Sequence, residues 1–336
     1  MFYQINQYQK VHLLNNNLYI GNMPPMARVI ENVPKYLPNL IEWLSNPKSD
    51  REIQNYLLNE CRMSTENSNK LLKELKESNI IVSSPNIPND RYARHYLYYN
   101  MIGVDAVKLQ DNLSTKKVAL VGMGGIGSNI AMNLAGAGIG NLLLIDGDTI
   151  ELSNLTRQFL YKESDIDTYK VDSAQKNLKQ INSEVNIEKV VTKITSKEVF
   201  ETHLKNCDFV ILSADEPSEI HQWIDDASKS CDFAYSSAGY IENYGVIGPL
   251  IEPGKTTSYD DYKKSGDLHR FTDNEDELKK NLNTNYQAPS YGPLNTLVSS
   301  IQANEAIRFL SGLKTSSYST RLLINSENYE IIKEEF

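Results

Sequence analysis

The 336-residue sequence predicts an α/β protein: a Rossmann-like, mostly parallel sheet wrapped by helices, preceded by a small winged-helix-like domain. Three observations predict it. From Lys117 onward, short apolar strands alternate with helices of crossover length. The stretch VALVGMGGIGSN, residues 118–129, runs an apolar strand straight into glycines and then a helix. SSPNIPND, residues 83–90, is a Ser/Pro/Asn-rich linker that sets this part off from a differently patterned N-terminal part.

In order along the chain, YQKVHLL and LYIG flank an Asn run and read as a hairpin. KYLPNLIEWLS is a short helix. SDREIQNYLLNE opens with a capping box from Ser49 to Glu52 and continues as helix. STENSNKLLKELKE is an amphipathic helix ending near Asn79, followed by a short strand, Ile80 to Val82. Hairpin, three helices and a strand make a winged-helix-like domain over residues 1–83. Residues 84–116 are linker and helical arm, with a helical stretch at about Arg91 to Asn100. Residues 117–336 form the α/β domain. There KVALVG, NLLLID, NIEKVV, DFVILSA, DFAYSSA and YGVIGPLI are strands, and the chain ends in a hairpin, STRLLINSENYEIIKEEF. Residues 254–291 are polar and charged with little apolar periodicity, and read as a lid or crossover segment.

Composition limits what this chain does. Hydrophobic content of 40% and charged content of 23% suit a globular core. The net charge is −9. Residues 1–83 are nearly balanced, with nine basic and eight acidic residues, so the acidity lies in the α/β domain. An acidic body without a Lys/Arg run argues against nucleic-acid binding, and the N-terminal domain lacks the basic surface of a DNA-binding winged helix. Peptide binding by strand addition is one use for such a domain; packing or dimerisation is another. No apolar run reaches the roughly 20 residues of a membrane helix, and the first residues lack a signal peptide's pattern, so the expectation is cytoplasmic. Cys61, Cys207 and Cys231 are widely spaced and form no CxxC pair.

Gly122, Gly124 and Gly127, with Gly125 between them, fit a GxGGxG loop whose backbone can approach phosphate oxygens at a helix N-terminus. Asp146 ends the next strand, where a carboxylate accepts from ribose hydroxyls. NAD, FAD and ATP all fit this much. Beyond Asp146, NLTRQ places Asn154, Arg157 and Gln158, and Lys170 opens the following helix. An Arg fork and a Lys suit a triphosphate better than a dinucleotide. Asp215, at the carboxyl end of a later strand, is a natural magnesium ligand.

Through RYAR at 91–94, GMGGIGSN, AGIGNLLLIDGDTIELSNLTRQ, Lys170 and SAD, the chain resembles the ThiF/MoeB and ubiquitin-activating-enzyme-like adenylyltransferases. The resemblance implies ATP, magnesium and attack by a carboxylate on the α-phosphate. It implies that Gly122 to Gly127 hold the phosphates and Asp146 the ribose. Asn154, Arg157 and Lys170 then hold the triphosphate and Asp215 the magnesium, with Asp148, Gln158 and Ser213 completing the nucleotide set. Arg94 matches an arginine that reaches into a partner subunit's site, which implies a homodimer. The family usually has Gly where Asp167 stands here.

With its N-terminal domain the chain resembles in particular the MccB-like, peptide-modifying branch, which includes the microcin C and pantocin enzymes. That implies a ribosomally made precursor peptide as substrate, activated at its C-terminus or at an Asp/Glu side chain. Activation of a small sulfur-carrier or ubiquitin-like protein and a non-catalytic peptide-binding scaffold are the alternatives. MccB-like chains carry two CxxC pairs. Here Ser258 and Asp261 replace the first pair and the second is missing, so no structural zinc is expected.

Overall fold

The computed structural model describes residues 2–21, 27–83, 88–264 and 288–335. The chain falls into two units, Met1–Asp111 and Asn112–Phe336.

The first unit holds two three-stranded sheets. β1 (Phe2–Ile5) lies between β5 (Lys48–Ser49) and β6 (Ile81–Ser83), and β3 (Asn17–Ile20) lies between β2 (Val11–Leu14) and β4 (Arg28–Ile30). The β2–β3 turn is made by Asn15 and Asn16 at φ of 49° and 61°, the left-handed pair that matches strand twist in a tight hairpin. Helices α1 (Tyr36–Trp43), α2 (Asp50–Asn59) and α3 (Thr65–Glu77) bury Leu40, Leu44, Ile53 and Leu57 completely. The Ser49–Glu52 capping box at α2 is present in both directions. Helix α4 (Ala93–Met101) follows, and α5 (Ala106–Thr115) carries the chain into the second unit.

The second unit is built on an eight-stranded sheet in the order β14-β13-β12-β11-β10-β7-β8-β9. Its strands are β7 (Lys117–Val121), β8 (Asn141–Ile145), β9 (Asn186–Val190), β10 (Phe209–Leu212), β11 (Ala234–Ile241), β12 (Tyr244–Ile251), β13 (Thr320–Asn325) and β14 (Ile331–Glu335). From β9 through β11 every pairing is parallel; from β11 to β14 every pairing is antiparallel. The central parallel strands β7, β8 and β10 read as apolar runs because helices cover both faces, whereas the edge strand β9 buries only Ile187. The helices are α6 (Gly127–Ala137), α7 (Lys170–Ile181), α8 (Lys197–His203), α9 (Ile220–Cys231), α10 (Tyr259–Lys264) and α11 (Gly292–Leu310). Phe200, Phe209 and Phe233 fill the core. The terminal hairpin is β13–β14, whose edge strand carries Lys333, Glu334 and Glu335, charges that discourage further pairing.

Chain order reverses between β7 and β10: β8 and β9 follow on one side, β10 and β11 lie on the other. Open α/β sheets bind ligands at the carboxyl ends of strands at such a switch point. Residues 265–287 of the 254–291 segment lie outside the described residues. Its beginning is ordered by Ser258 and Asp261, the two positions where the resemblance puts cysteines. They cap α10 reciprocally: Asp261 Oδ2 accepts from Ser258 N–H and Oγ–H, and Ser258 Oγ accepts from Asp261 N–H. Among the described residues no helix is long and apolar enough to cross a membrane.

Candidate active site

The loop between β7 and α6 is shaped by its backbone. Gly122 sits at φ 91°, and a Cβ on Gly127 would lie 1.9 Å from the Gly122 carbonyl oxygen. Any side chain at Gly127 would force the loop open. The loop's carbonyls are held from behind. Ser213 Oγ donates to Gly122 O (2.8 Å), Tyr161 O–H to Met123 O (2.8 Å), Ser128 Oγ to Gly124 O (2.6 Å) and Asn129 Nδ2 to Gly125 O (2.7 Å). In a trans peptide the next N–H points opposite to each carbonyl. The N–H groups of Gly124, Gly125 and Ile126 therefore face away from this backing, outward from the N-terminal end of α6, as phosphate binding requires. Burial pushes the Tyr161 phenol well above its ordinary range, so it stays a donor.

Asp146 braces the same loop. Its Oδ2 accepts from Met123 N–H (2.6 Å) and its Oδ1 from Asp148 N–H (2.8 Å). Asn154 is buried within the 3-10 turn Leu152–Thr156, where its Oδ1 accepts from Glu151 N–H (3.2 Å). That turn delivers Arg157, whose Nη1 donates to Ser153 O (3.0 Å). Lys170, first residue of α7, is 8% exposed, and its Nζ lies 2.9 Å from Asp148 Oδ2. Lys170 holds the Asp148 carboxyl below the usual carboxylate range. Any anion entering at Lys170 would compete with Asp148 for the same ammonium.

A cavity of about 490 Å³ opens at the switch point. Of the sequence-predicted set, Gly124, Gly125, Arg157, Gln158, Lys170, Ser213 and Asp215 line it. Gly122, Gly127 and Asp146 shape the loop behind it, and Asp148 and Asn154 act through Lys170 and the turn. Asp215 is exposed beyond β10. Arg94 lies on α4 of the first unit and is exposed.

The glycine cradle and these cations fit a nucleotide, and two unmatched buried atoms fit a ligand as well: Gln158 Oε1 and Asn295 Oδ1 have no hydrogen-bond partner. Sequence reading missed Asn295, the backing side chains Tyr161, Ser128 and Asn129, and three further wall residues, His221, Tyr259 and Arg321. Ser128 and Asn129 were findable, being the first polar side chains after the glycines and each four residues on from the carbonyl it holds. His221 stacks on Tyr259 (centroids 5.7 Å, 24°), and burial lowers its pKa against a smaller opposing pull from Asp215. Tyr259 N–H donates to the fully buried Asp225 (3.2 Å), which also accepts from Tyr235 O–H (3.0 Å) and pairs with Lys229 (2.7 Å). Among the described residues, Asp225, Asp226 and Asp260 are the one carboxylate group close enough to share an ion.

A glycine loop at a helix N-terminus, an Arg and a Lys on one wall and a carboxylate at the strand ends define a nucleotide-binding α/β enzyme of the phosphate-activating kind. The sequence profile of the ThiF family matches residues 92–335, and the chain belongs to that family. It is an adenylyltransferase of the ThiF/MoeB type. It is 30% identical over 234 residues to the sulfur carrier protein ThiS adenylyltransferase of Escherichia coli K12, covering 70% of this chain and 88% of that protein. It is 31% identical over 199 residues to the molybdopterin-synthase adenylyltransferase of Haemophilus influenzae, covering 59% and 76%. Among solved structures, E. coli MccB with ATP superposes with a TM-score of 0.84 at 27% identity over 100% of this chain and 97% of that one. MccB with MccA-N7isoASN gives 0.86 at 28% over the same shares. PaaA shares the fold, with a TM-score of 0.72 at 22% identity over 98% of each chain.

Proposed function

We propose that this chain uses ATP and magnesium to adenylate a carboxylate of a ribosomally made precursor peptide, as a step in peptide-antibiotic biosynthesis. The observation that carries this reading is the extent of the likeness. The family profile begins at residue 92, whereas the likeness to MccB, a microcin C7 biosynthetic enzyme solved with MccA, spans 100% of the chain, N-terminal unit included. That unit also offers what a peptide needs. An apolar hollow of about 610 Å³ is lined by Leu18, Ile30, Leu37, Ile41 and Leu71, and exposed Leu13 and Leu14 lie on the edge strand β2.

The chemistry follows from the site. A peptide carboxylate is already ionised near neutral pH, so no base is needed. Its oxygen forms a bond to the α-phosphorus while the bond to the bridging oxygen breaks, and the electron pair leaves with pyrophosphate. Arg157 and Lys170 balance negative charge on the phosphates, and the loop N–H groups fix them in place. Magnesium on Asp215 would supply further positive charge. The protein acts as a homodimer in this reading, with Arg94 reaching the partner's site, and holds no structural zinc; sedimentation and metal analysis test these two points.

Pyrophosphate release from ATP, measured with synthetic copies of short peptides encoded beside the gene, tests the proposal. Peptide-dependent release that is lost in Asp215→Ala supports it. Release with a sulfur-carrier protein and with none of the peptides would move the assignment to the carrier-activating relatives.

A further inference from the structure

A second hollow, of about 470 Å³, adjoins the nucleotide cavity. Two segments run from one to the other. On β11, Tyr240 and Ile241 line the cavity, and the next two residues, Glu242 and Asn243, line the hollow. Around the start of α11, Ser290 lines both, Tyr291 and Leu294 line the hollow, and Asn295 lines the cavity. A peptide whose reacting carboxylate lies in the cavity therefore has room for its neighbouring residues in the hollow.

Glu242 is held in an unusual way. It opens the two-residue turn between β11 and β12 at φ 54°, a left-handed position where Gly or Asn is the ordinary occupant. The turn is braced by the turn beside it. Ser326 N–H donates to Asn243 O (3.0 Å), and Asn243 Nδ2 donates to Glu327 Oε1 (3.2 Å). The Glu242 carboxylate takes no part in this brace. Among the described residues no donor or cation meets it, and it is the one charged group of the described residues that line the hollow. A costly backbone position is kept for a side chain that makes no bond within the fold, which points to a ligand.

The rest of the hollow indicates the kind of ligand. Tyr291 is 64% exposed. An open aromatic ring and an unmatched carboxylate in one hollow suit a Lys or Arg, whose stem lies on the ring while its head meets the acid. Arg157 and Lys170 make the cavity a place for anions, and Glu242 makes the hollow a place for a cation. The two together fit a substrate that carries opposite charges a short way apart.

We propose that the hollow is a subsite for a cationic side chain, Lys or Arg, of the acceptor peptide, with Glu242 as its specificity-determining residue. The inference rests on the peptide-adenylation reading above.

The test uses full-length protein and the peptide that supports pyrophosphate release, with each of its Lys and Arg residues replaced in turn by norleucine. One replacement raises the peptide KM about tenfold with kcat nearly unchanged, the size expected where an exposed ion pair and a cation over a ring add together. Glu242→Gln raises the KM of the parent peptide by the same factor and has no effect with that norleucine peptide. Glu327→Gln removes a nearby charge that already accepts from Asn243, and changes the KM by less than about twofold, because exposed charges out of contact are screened. Glu242→Asn suits the left-handed position; it melts no lower than wild type and loses the peptide as Glu242→Gln does. An active peptide without Lys or Arg overturns the inference. So does an unchanged KM in Glu242→Gln, a Glu327→Gln loss equal to it, or a lower Tm in Glu242→Asn, which would make the carboxylate part of the fold. If the wild-type chain releases pyrophosphate with none of the peptides, the proposed function fails and takes this inference with it. Release by the wild type together with unaffected Glu242 variants removes the inference alone.

Discussion

Replacing Asp225 tests what fastens the start of the 254–291 segment to the α/β unit. Its carboxylate is fully buried and accepts from Tyr235 O–H at 3.0 Å and Tyr259 N–H at 3.2 Å. Each bond to a charged group is worth about 1.5–3 kcal/mol. The Lys229 partner is 42% exposed, so that ion pair adds about 1 kcal/mol at most. Asp225→Ala should therefore cost about 4 kcal/mol. At roughly 2–4 °C per kcal/mol for a unit of this size, that is a fall of about 8–16 °C in Tm. Asp225→Asn keeps one acceptor and should lose about half as much. Lys229→Ala should lose about 1 kcal/mol or less, since water reaches the vacated side. Calorimetry and urea unfolding read all three. A loss below about 1 kcal/mol for Asp225→Ala, or equal losses for Asp225→Ala and Lys229→Ala, would refute the reasoning. In the first case the buried bonds contribute little; in the second the surface ion pair carries the effect.

Two further outcomes follow from the site. Gly127→Ala should abolish ATP binding by calorimetry at millimolar nucleotide while leaving a folded protein, because its Cβ would lie 1.9 Å from the Gly122 carbonyl that Ser213 also holds. The Asp148 carboxyl has a lowered pKa when folded, so the unfolded chain binds the proton first as pH falls. Its stabilising effect is complete above the ordinary carboxylate pKa of about 4 and is lost as pH falls below that value. The stability gap between wild type and Asp148→Asn should accordingly be flat from pH 8 to 5 and close toward pH 3; a gap that widens on acidification would contradict the Lys170 pairing.

The centre of the parallel sheet was legible because both faces of β7, β8 and β10 are buried, leaving the apolar runs VALV, LLLI and FVIL. The phosphate loop was legible because its backbone shape restricts which residues it accepts. The far wall was not. Arg321 sits in STRLLIN, an alternating strand in which one basic residue looks like ordinary surface, and only the pairing of β13 with β12 turns it toward the cavity. Asn295 was hidden in the same way, as a polar residue in the long helix α11 whose direction depends on the packing of α11 against α6. Tyr161 carries no local signal at all, since its partner, the Met123 carbonyl, lies 38 residues away in sequence. Asp146 was placed at the correct strand end, but its two bonds to Met123 and Asp148 N–H, which make it a brace for the loop, were invisible without coordinates.

The four carbonyls held from behind bear on how such a site can be inherited or moved. Ser128, Asn129, Tyr161 and Ser213 come from a helix, a distant loop and a neighbouring strand end, yet all four act on one six-residue turn. Transplanting GMGGIG into another strand-turn-helix would carry the permissive backbone without the side chains that choose one of its conformations. The transferable part is the turn together with its backing, and drift at any of the four positions acts on phosphate binding without touching a glycine.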